Sequence, residues 1–396
     1  MTRATTGGKR LLSLDVLRGV TIAGMILVNN PGSWSDIYTP LEHAQWNGLT
    51  PTDLVFPFFM FIMGISTYLS LRKSEFKPST RVWVKILRRA VIIYLIGLCV
   101  GWLSKFCFGL ARAEASVPLA ARLRDAADCL DTLRLVGVMP RLALSYLLAS
   151  IVAVTVKHKI IPWIVAGILA AYSLILLLGH GYEFSPRNVI YIVDSAILGD
   201  AHIYHGLTVD GVNIPFDPEG LLSTLPSVAH VLVGFLCGAA IMRARDNSGR
   251  ALSLFVAGAA MMFAGFLLSY GLPINKNVWS PTFVLTTCGM AACLLALLVR
   301  VIDIGGHTRW CRFFEAFGVN PLFLYVLSGV LAILVGSIKV GFQGNYIAVK
   351  TLVYREALLP LLGDARLASC VFAILFVILN WIIGYILYRN KIYIKI

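Results

Sequence analysis

The apolar residues of this chain are gathered into about ten blocks of roughly twenty residues, the length that a helix rising ~1.5 Å per residue needs to cross a ~30 Å hydrocarbon core. No motif constrains the fold as strongly. The blocks read as helices at 11–30, 53–71, 87–105, 134–156, 160–178, 222–242, 251–270, 281–302, 318–338 and 369–388, the first interrupted by Asp15 and Arg18 and the fourth by Arg141. A mean hydropathy of +0.80 with 58% hydrophobic residues over 396 residues lies outside the range of a water-soluble globule. The expectation is an all-α polytopic membrane protein whose residues 1–396 form one transmembrane domain, since no linker, repeat or appended module is visible. The start MTRATTGGKR leads into a segment broken by charges, so no cleavable signal peptide is expected.

The net charge of +14 is distributed topologically rather than as a nucleic-acid footprint. With the N-terminus in the cytoplasm, Arg3, Lys9, Arg10, Arg72–Arg89, Lys157–Lys159, Arg243–Arg250, Arg300–Arg312 and Arg389–Lys395 fall on one side and hold 21 of the 34 Lys and Arg residues. The positive-inside rule then places both termini in the cytoplasm and residues 31–52, 106–133, 179–221, 271–280 and 339–368 outside. Of eight cysteines only Cys107 and Cys129 share an outer loop, as a disulfide or as two thiols. The forty-odd residues of 179–221 are long for an ordered loop, and such loops are usually functional.

The sequence has no GxSxG elbow, P-loop, HExxH or dinucleotide fingerprint, which removes the common hydrolase and nucleotide-hydrolysing chemistries. Histidine remains. His202-x-x-His205 lacks a third and fourth metal ligand nearby, and no metal is expected. His43 stands in a loop without Lys or Arg, in the stretch LEHAQWNGLTPTDLVFPFFMFIMG between two apolar runs. With an ordinary pKa of ~6.5 it can take a proton at neutral pH. Asn29, at the end of the first run, can orient an imidazole or donate to an oxyanion, and Trp46, Asn47 and Asp53 follow in the same stretch. The alternative is that Asn29, Asn30 and Asn47 cap helix ends.

The segments RLLSLDVLRG, MILVNN, LEHAQWNGLTPTDLVFPFFMFIMG, RLVGVMPRLALSY, LGDAHIYH, FDPEGLLSTLPS, PINKNVWSPTFVL and ILYRNKIYIKI resemble, in the same order, those of the heparan-α-glucosaminide N-acetyltransferase family and its shorter bacterial relatives. The resemblance implies a multi-span enzyme that takes acetyl-CoA from the cytoplasmic side and acetylates an amino sugar on the far side. It also implies that His43 is catalytic and that Asn29 assists it. The lysosomal members carry a lumenal domain and a further span before the first shared motif, and a start this close to that motif fits a bacterial inner-membrane protein.

On this reading Lys85, Arg88, Arg89 and Arg141, with Asp15 and Arg18, are expected to hold the CoA phosphates at the cytoplasmic mouth. Arg141, inside a span, requires a partner such as Asp15 or a ligand phosphate. Asp15 and Arg18 are spaced for a local ion pair. Asp194, Asp200, Asp217 and Glu219 are expected to recognise an ammonium and sugar hydroxyls. Asn275, Lys276, Asn277 and Trp279 form a second outer polar group, with Trp279 a platform for a sugar face. The partners are acetyl-CoA, an amino sugar or glycan end, the bilayer and, as a further candidate, a second copy of the chain. A transporter of amino sugars, or an O-acetyltransferase acting on an envelope glycan, remains the alternative.

Overall fold

The computed structural model describes residues 11–114 and 116–394. Arg3, Lys9, Arg10 and Lys395 of the charge pattern lie outside them. Among the described residues nine helices are long and apolar enough to cross a membrane, and a bent pair supplies a tenth crossing. In chain order the helices are α1 (Leu12–Asn29), α2 (Val55–Arg72), α3 (Thr80–Arg112), α4 (Leu119–Ala127), α5 (Val138–Thr155), α6 (Ile161–Leu178), α7 (Val189–Leu198), α8 (Thr224–Arg243), α9 (Asn247–Leu268), α10 (Pro281–Leu298), α11 (Cys311–Val319), α12 (Pro321–Ser337), α13 (Val349–Thr351), α14 (Leu359–Leu362) and α15 (Ala365–Arg389). Two short hairpins, β1 (Thr208–Val209) with β2 (Val212–Asn213) and β3 (Lys339–Phe342) with β4 (Asn345–Ala348), are the only strands among these residues. The chain is an all-α, multi-pass membrane protein.

Two spans depart from the expected bounds. α3 runs 33 residues instead of nineteen, about 50 Å at the α-helical rise. The ninth span is broken at Asn320–Pro321, where α11 and α12 meet at 83°. Proline lacks the N–H that would continue the ladder, and the break is the expected result.

Burial sorts the spans into two shells. α8 and the Pro281–Ile304 span are 78% and 72% buried, whereas α3 is 6% buried and turns Leu87, Val91 and Leu95 outward. An apolar outward face meets lipid tails, so the same composition serves core and periphery. The inner helices approach closely at glycine. A Cβ on Gly64 of α2 would overlap the Val231 carbonyl of α8, and one on Gly234 would overlap the Phe61 carbonyl. Small residues at such crossings let backbones pack where lipid supplies no hydrophobic drive.

The bundle has two unlike ends. Leu11, Arg72, Lys73, Met242 and Arg250 meet at one, the basic end. At the other, the loop end, residues 179–223 fold over the bundle around Tyr172, Leu176, Ile190, Phe216 and Val278.

Candidate active site

At the loop end the segment Thr50–Leu54 forms a single 3-10 turn before α2, with Pro51 preset at its first position and a reciprocal cap between Thr50 and Asp53. The cap turns the Asp53 carboxylate back over the loop. Its Oδ2 accepts from the amides of Ala44 and Thr50, both at 3.1 Å, and from the Thr50 hydroxyl at 3.0 Å. Its Oδ1 lies 2.6 Å from His43 Nδ1 and 3.3 Å from Lys276 Nζ. Asp53 is 1% exposed, and a buried carboxylate requires such pairing. Because an ionised carboxylate only accepts, Nδ1 of His43 donates to it, and in the neutral imidazole Nε2 is then the acceptor, on a side chain 42% exposed.

Lys276 reaches this pair from the other polar loop, its Nζ 3.0 Å from His43 Nδ1 and 3.4 Å from Nε2. The two loops are laced together. Gly48 N donates to the Ile274 carbonyl at 2.8 Å, and Asn275 Nδ2 donates to Asn47 Oδ1 at 3.1 Å. Gly48 adopts φ +118, where a side chain would be strained. Asn275 is fully buried and accepts from Val278 N, so it shapes its own turn, while Asn277 is nearly buried beside it.

Several residues expected to face a sugar are structural neighbours of this site instead. Trp46 is buried among Phe184 and Phe216 and donates Nε1 to the Tyr182 carbonyl at 2.7 Å, which pins the 179–221 loop onto the His43 loop. Trp279 is 1% exposed and in the left-handed region at φ +51, packed edge-on to Phe56 and Phe283. It is no open platform. Asp217 and Glu219 are occupied by Arg134, which donates Nε to Asp217 Oδ2 at 2.8 Å, a further N–H to Asp217 Oδ1, and one to Glu219 at 2.6 Å. Burial lowers the pKa of the Arg134 guanidinium, but these carboxylates outweigh it and raise the value. Asp200 remains exposed at a loop turn, its carbonyl 2.7 Å from His205 Nε2, and His202 Nδ1 lies 2.7 Å from the Leu133 carbonyl. No group of three or more metal-ligating side chains occurs among the described residues. Cys107 and Cys129 are free thiols.

Asn29 ends α1 exposed and lines two adjoining cavities of ≈ 390 and ≈ 340 Å³. Its neighbour Asn30 instead donates back to the Ile26 carbonyl at 2.7 Å, a helix-end task. Gly24 of α1 packs against Val55 of α2, which sets Asn29 and Asp53 on the same, loop-end side of that crossing.

Arg141 is fully buried in the first turn of α5, at the loop end. It donates to the Gly220 carbonyl and to the Ser223 hydroxyl and lies 4.9 Å over the Trp279 ring. The expectation that it joins Lys85, Arg88 and Arg89 at one mouth, or pairs with Asp15, fails because α5 runs opposite to α3. Gly97 faces Met139, and Arg89 faces Tyr146, one to two turns deeper along α5. Around Arg141 the buried Nε and Nη1 of that residue, Trp279 Nε1 and Ser145 Oγ have no protein partner among the described residues. These groups are mostly donors, and such a column calls for acceptors from water or a ligand.

The basic end holds a cavity of ≈ 540 Å³ lined by Asp15, Arg18, Arg72, Lys73 and Arg250 together with apolar residues reaching Ile65. Arg18 makes the expected ion pair with Asp15 at 2.9 Å and also donates to Ser66. Lys85 stands outside, hydrogen-bonded to Ser70 at 2.7 Å, and Arg88 is exposed. Arg134, Arg72, Lys73 and Arg250 were not singled out from the sequence. The first is a lone cation just before a span, and the others read as topology signals.

Residues 10–102 match a family described as a domain of unknown function (DUF5009). The heparan-alpha-glucosaminide N-acetyltransferase of Mus musculus is 26% identical over 378 residues, covering 82% of this chain and 54% of the mouse protein. That of Homo sapiens is 26% identical over 371 residues, covering 80% of this chain and 52% of the human protein. The chain thus spans about half the length of the curated relatives it matches. Across about four-fifths of its residues the chain is a distant relative of the heparan-alpha-glucosaminide N-acetyltransferases.

Proposed function

We propose that the protein is a transmembrane N-acetyltransferase that moves an acetyl group from cytoplasmic acetyl-CoA to the amine of a glucosamine-type sugar on the external face. The observation that carries this reading is the buried Asp53 holding His43 by Nδ1 on a side chain that is 42% exposed at the loop end. The relatives' names support the reaction class.

The basic cavity is the candidate donor site. Arg18, Arg72, Lys73 and Arg250 suit a polyanionic nucleotide, and lining as deep as Ile65 leaves ten residues of α2, about 15 Å, and the short turn before it for the pantetheine arm to cover before Asp53. The unpartnered donors of Arg141, Trp279 and Ser145 fit the amide carbonyls of that arm. At the loop end the acceptor nitrogen attacks the thioester carbonyl, the N–C bond forms and the C–S bond breaks. CoA leaves as thiolate, and His43 Nε2 takes the amine proton as general base while Asp53 holds the imidazole tautomer. Asn29 is assigned to the developing oxyanion.

We assign the Lys276 ammonium, which rests against Asp53 and both ring nitrogens, to holding the Asp53–His43 pair until the acceptor amine enters. The test is acetyl-CoA consumption by the purified protein with glucosamine, expected to yield N-acetylglucosamine and free CoA. Accumulation of unmodified sugar in vesicles, with acetyl-CoA untouched, would replace this reading by transport.

A further inference from the structure

The cavities beside Asn29 do not end at the polar loops. The ≈ 390 and ≈ 340 Å³ cavities share Asn29, Asn30 and Ala332. The former also shares Val100 and Val326 with a third depression of ≈ 410 Å³ lined only by α3 and α12, through Leu95, Cys99, Leu103 and Val330 among others. That depression lies on the membrane face, since Leu95 is 52% exposed on a helix that is almost entirely peripheral. In a bilayer this groove is in contact with hydrocarbon chains, and the shared wall residues Val100 and Val326 set it beside the cavity that Asn29 lines.

The polar end of the route is not electrically neutral. Arg134 on its wall is compensated by Asp217 and Glu219, but no carboxylate among the described residues pairs with Lys350, which lines the cavity between Trp34 and Phe372. Its nearest aromatic is Phe372, whose ring centroid lies 6.0 Å from Nζ. Burial alone accounts for its lowered pKa, with no opposing anion. A partly desolvated ammonium without an anion is costly, and an incoming phosphate would relieve that cost. Trp34, 61% exposed at the same mouth, is the kind of side chain that seats at a headgroup boundary.

We propose that this route admits the acceptor sideways from the bilayer, as an amino sugar joined through phosphate to a hydrocarbon chain. The chain lies along α12 into the α3–α12 groove, the phosphate sits at Lys350 and the sugar amine extends past Asn29. This deepens the acetyl-transfer reading by naming the substrate class, and its binding half stands without catalysis.

The probe is a long-chain phosphate ester of glucosamine bearing a photoactivatable diazirine on the chain, presented in vesicles containing the full-length protein. Crosslinks are expected within residues 92–103 and 326–330 and are expected to be lost in Val330→Trp, which fills the groove. In turnover, Lys350→Gln should lower kcat/KM for the lipid-linked amine about tenfold, the worth of one charge-assisted contact, while leaving free glucosamine unchanged. The proposal is overturned if crosslinks persist unchanged in Val330→Trp or if Lys350→Gln slows both amines equally. If neither amine is acetylated, the acetyl-transfer reading falls, and the crosslinks alone decide whether the route binds a lipid.

Discussion

The two ends of the bundle handle charge in opposite ways. At the loop end the acids beside His43 and Arg134 are committed: Asp53 to His43 and Lys276, and Asp217 and Glu219 to Arg134. At the basic end Arg72, Lys73 and Arg250 line a cavity in which Asp15 is the one acid among the described lining residues, itself paired with Arg18. Committed charges fix geometry, and each one removed leaves a partner stranded. Surplus charges attract a polyanion, and each one removed weakens a field. The difference predicts steep losses at one end and graded ones at the other.

The sharpest way to break this comparison is His43→Ala, expected to lower kcat by ~10²–10⁴-fold while the variant still binds CoA. Single-turnover assays beside calorimetric CoA binding would separate the two, and near-normal turnover would make His43 structural. Next is Arg134→Met, which leaves the buried Asp217 unpaired and should cost about 3 kcal/mol, read as a lower unfolding temperature in detergent.

Asp194 sharpens the picture through pH. Burial raises its pKa to about 6, with Asp217 adding to the effect and the Leu222 amide and Arg141 opposing it. The folded value lies above the unfolded one of about 4, so the native state binds more protons between them, and stability falls as pH rises from about 4 to about 6. Asp194→Asn should flatten that slope and stabilise the protein above pH 6 by an amount on the order of 2 kcal/mol. Thermal unfolding at pH 4.5 and pH 7.5, values of about ±1.5 units around the midpoint, would show it, and an unchanged slope would refute it. The smallest effect is expected for Arg72→Gln, a severalfold rise in KM for acetyl-CoA with kcat and the sugar KM unchanged. A loss of kcat there would mean that the basic end, too, fixes geometry.

What the sequence disclosed follows from what is local. Apolar blocks of membrane-crossing length, the asymmetry of Lys and Arg, and the i, i+3 pair of Asp15 with Arg18 are all written in neighbouring residues, and that pair and every span but the lengthened α3 and the broken α11–α12 crossing stand near where they were expected. The partners of His43 and Arg134 were not readable, because Lys276 lies 233 positions away and Asp217 83. For the same reason Trp46 and Trp279 looked like exposed aromatics: a polar flanking sequence signals a loop but not whether another loop folds over it. Arg141 was misplaced by depth, since a span boundary uncertain by a few residues cannot tell the end of a helix from its middle.

The break between α11 and α12 has a consequence for how the chain is made. Asn320 donates Nδ2 to the Ile392 carbonyl at 2.8 Å and accepts from Ile394 N at 2.8 Å, so the segment after α15 closes the gap that Pro321 opens in the bundle. These partners emerge from the ribosome 72 and 74 residues after Asn320, when α11 and α12 must already have entered the membrane. During that interval the broken crossing depends on an insertase, lipid headgroups or trapped water to satisfy its polar groups. A protein cleaved after α15 should therefore pass insertion quality control poorly, even with every crossing present.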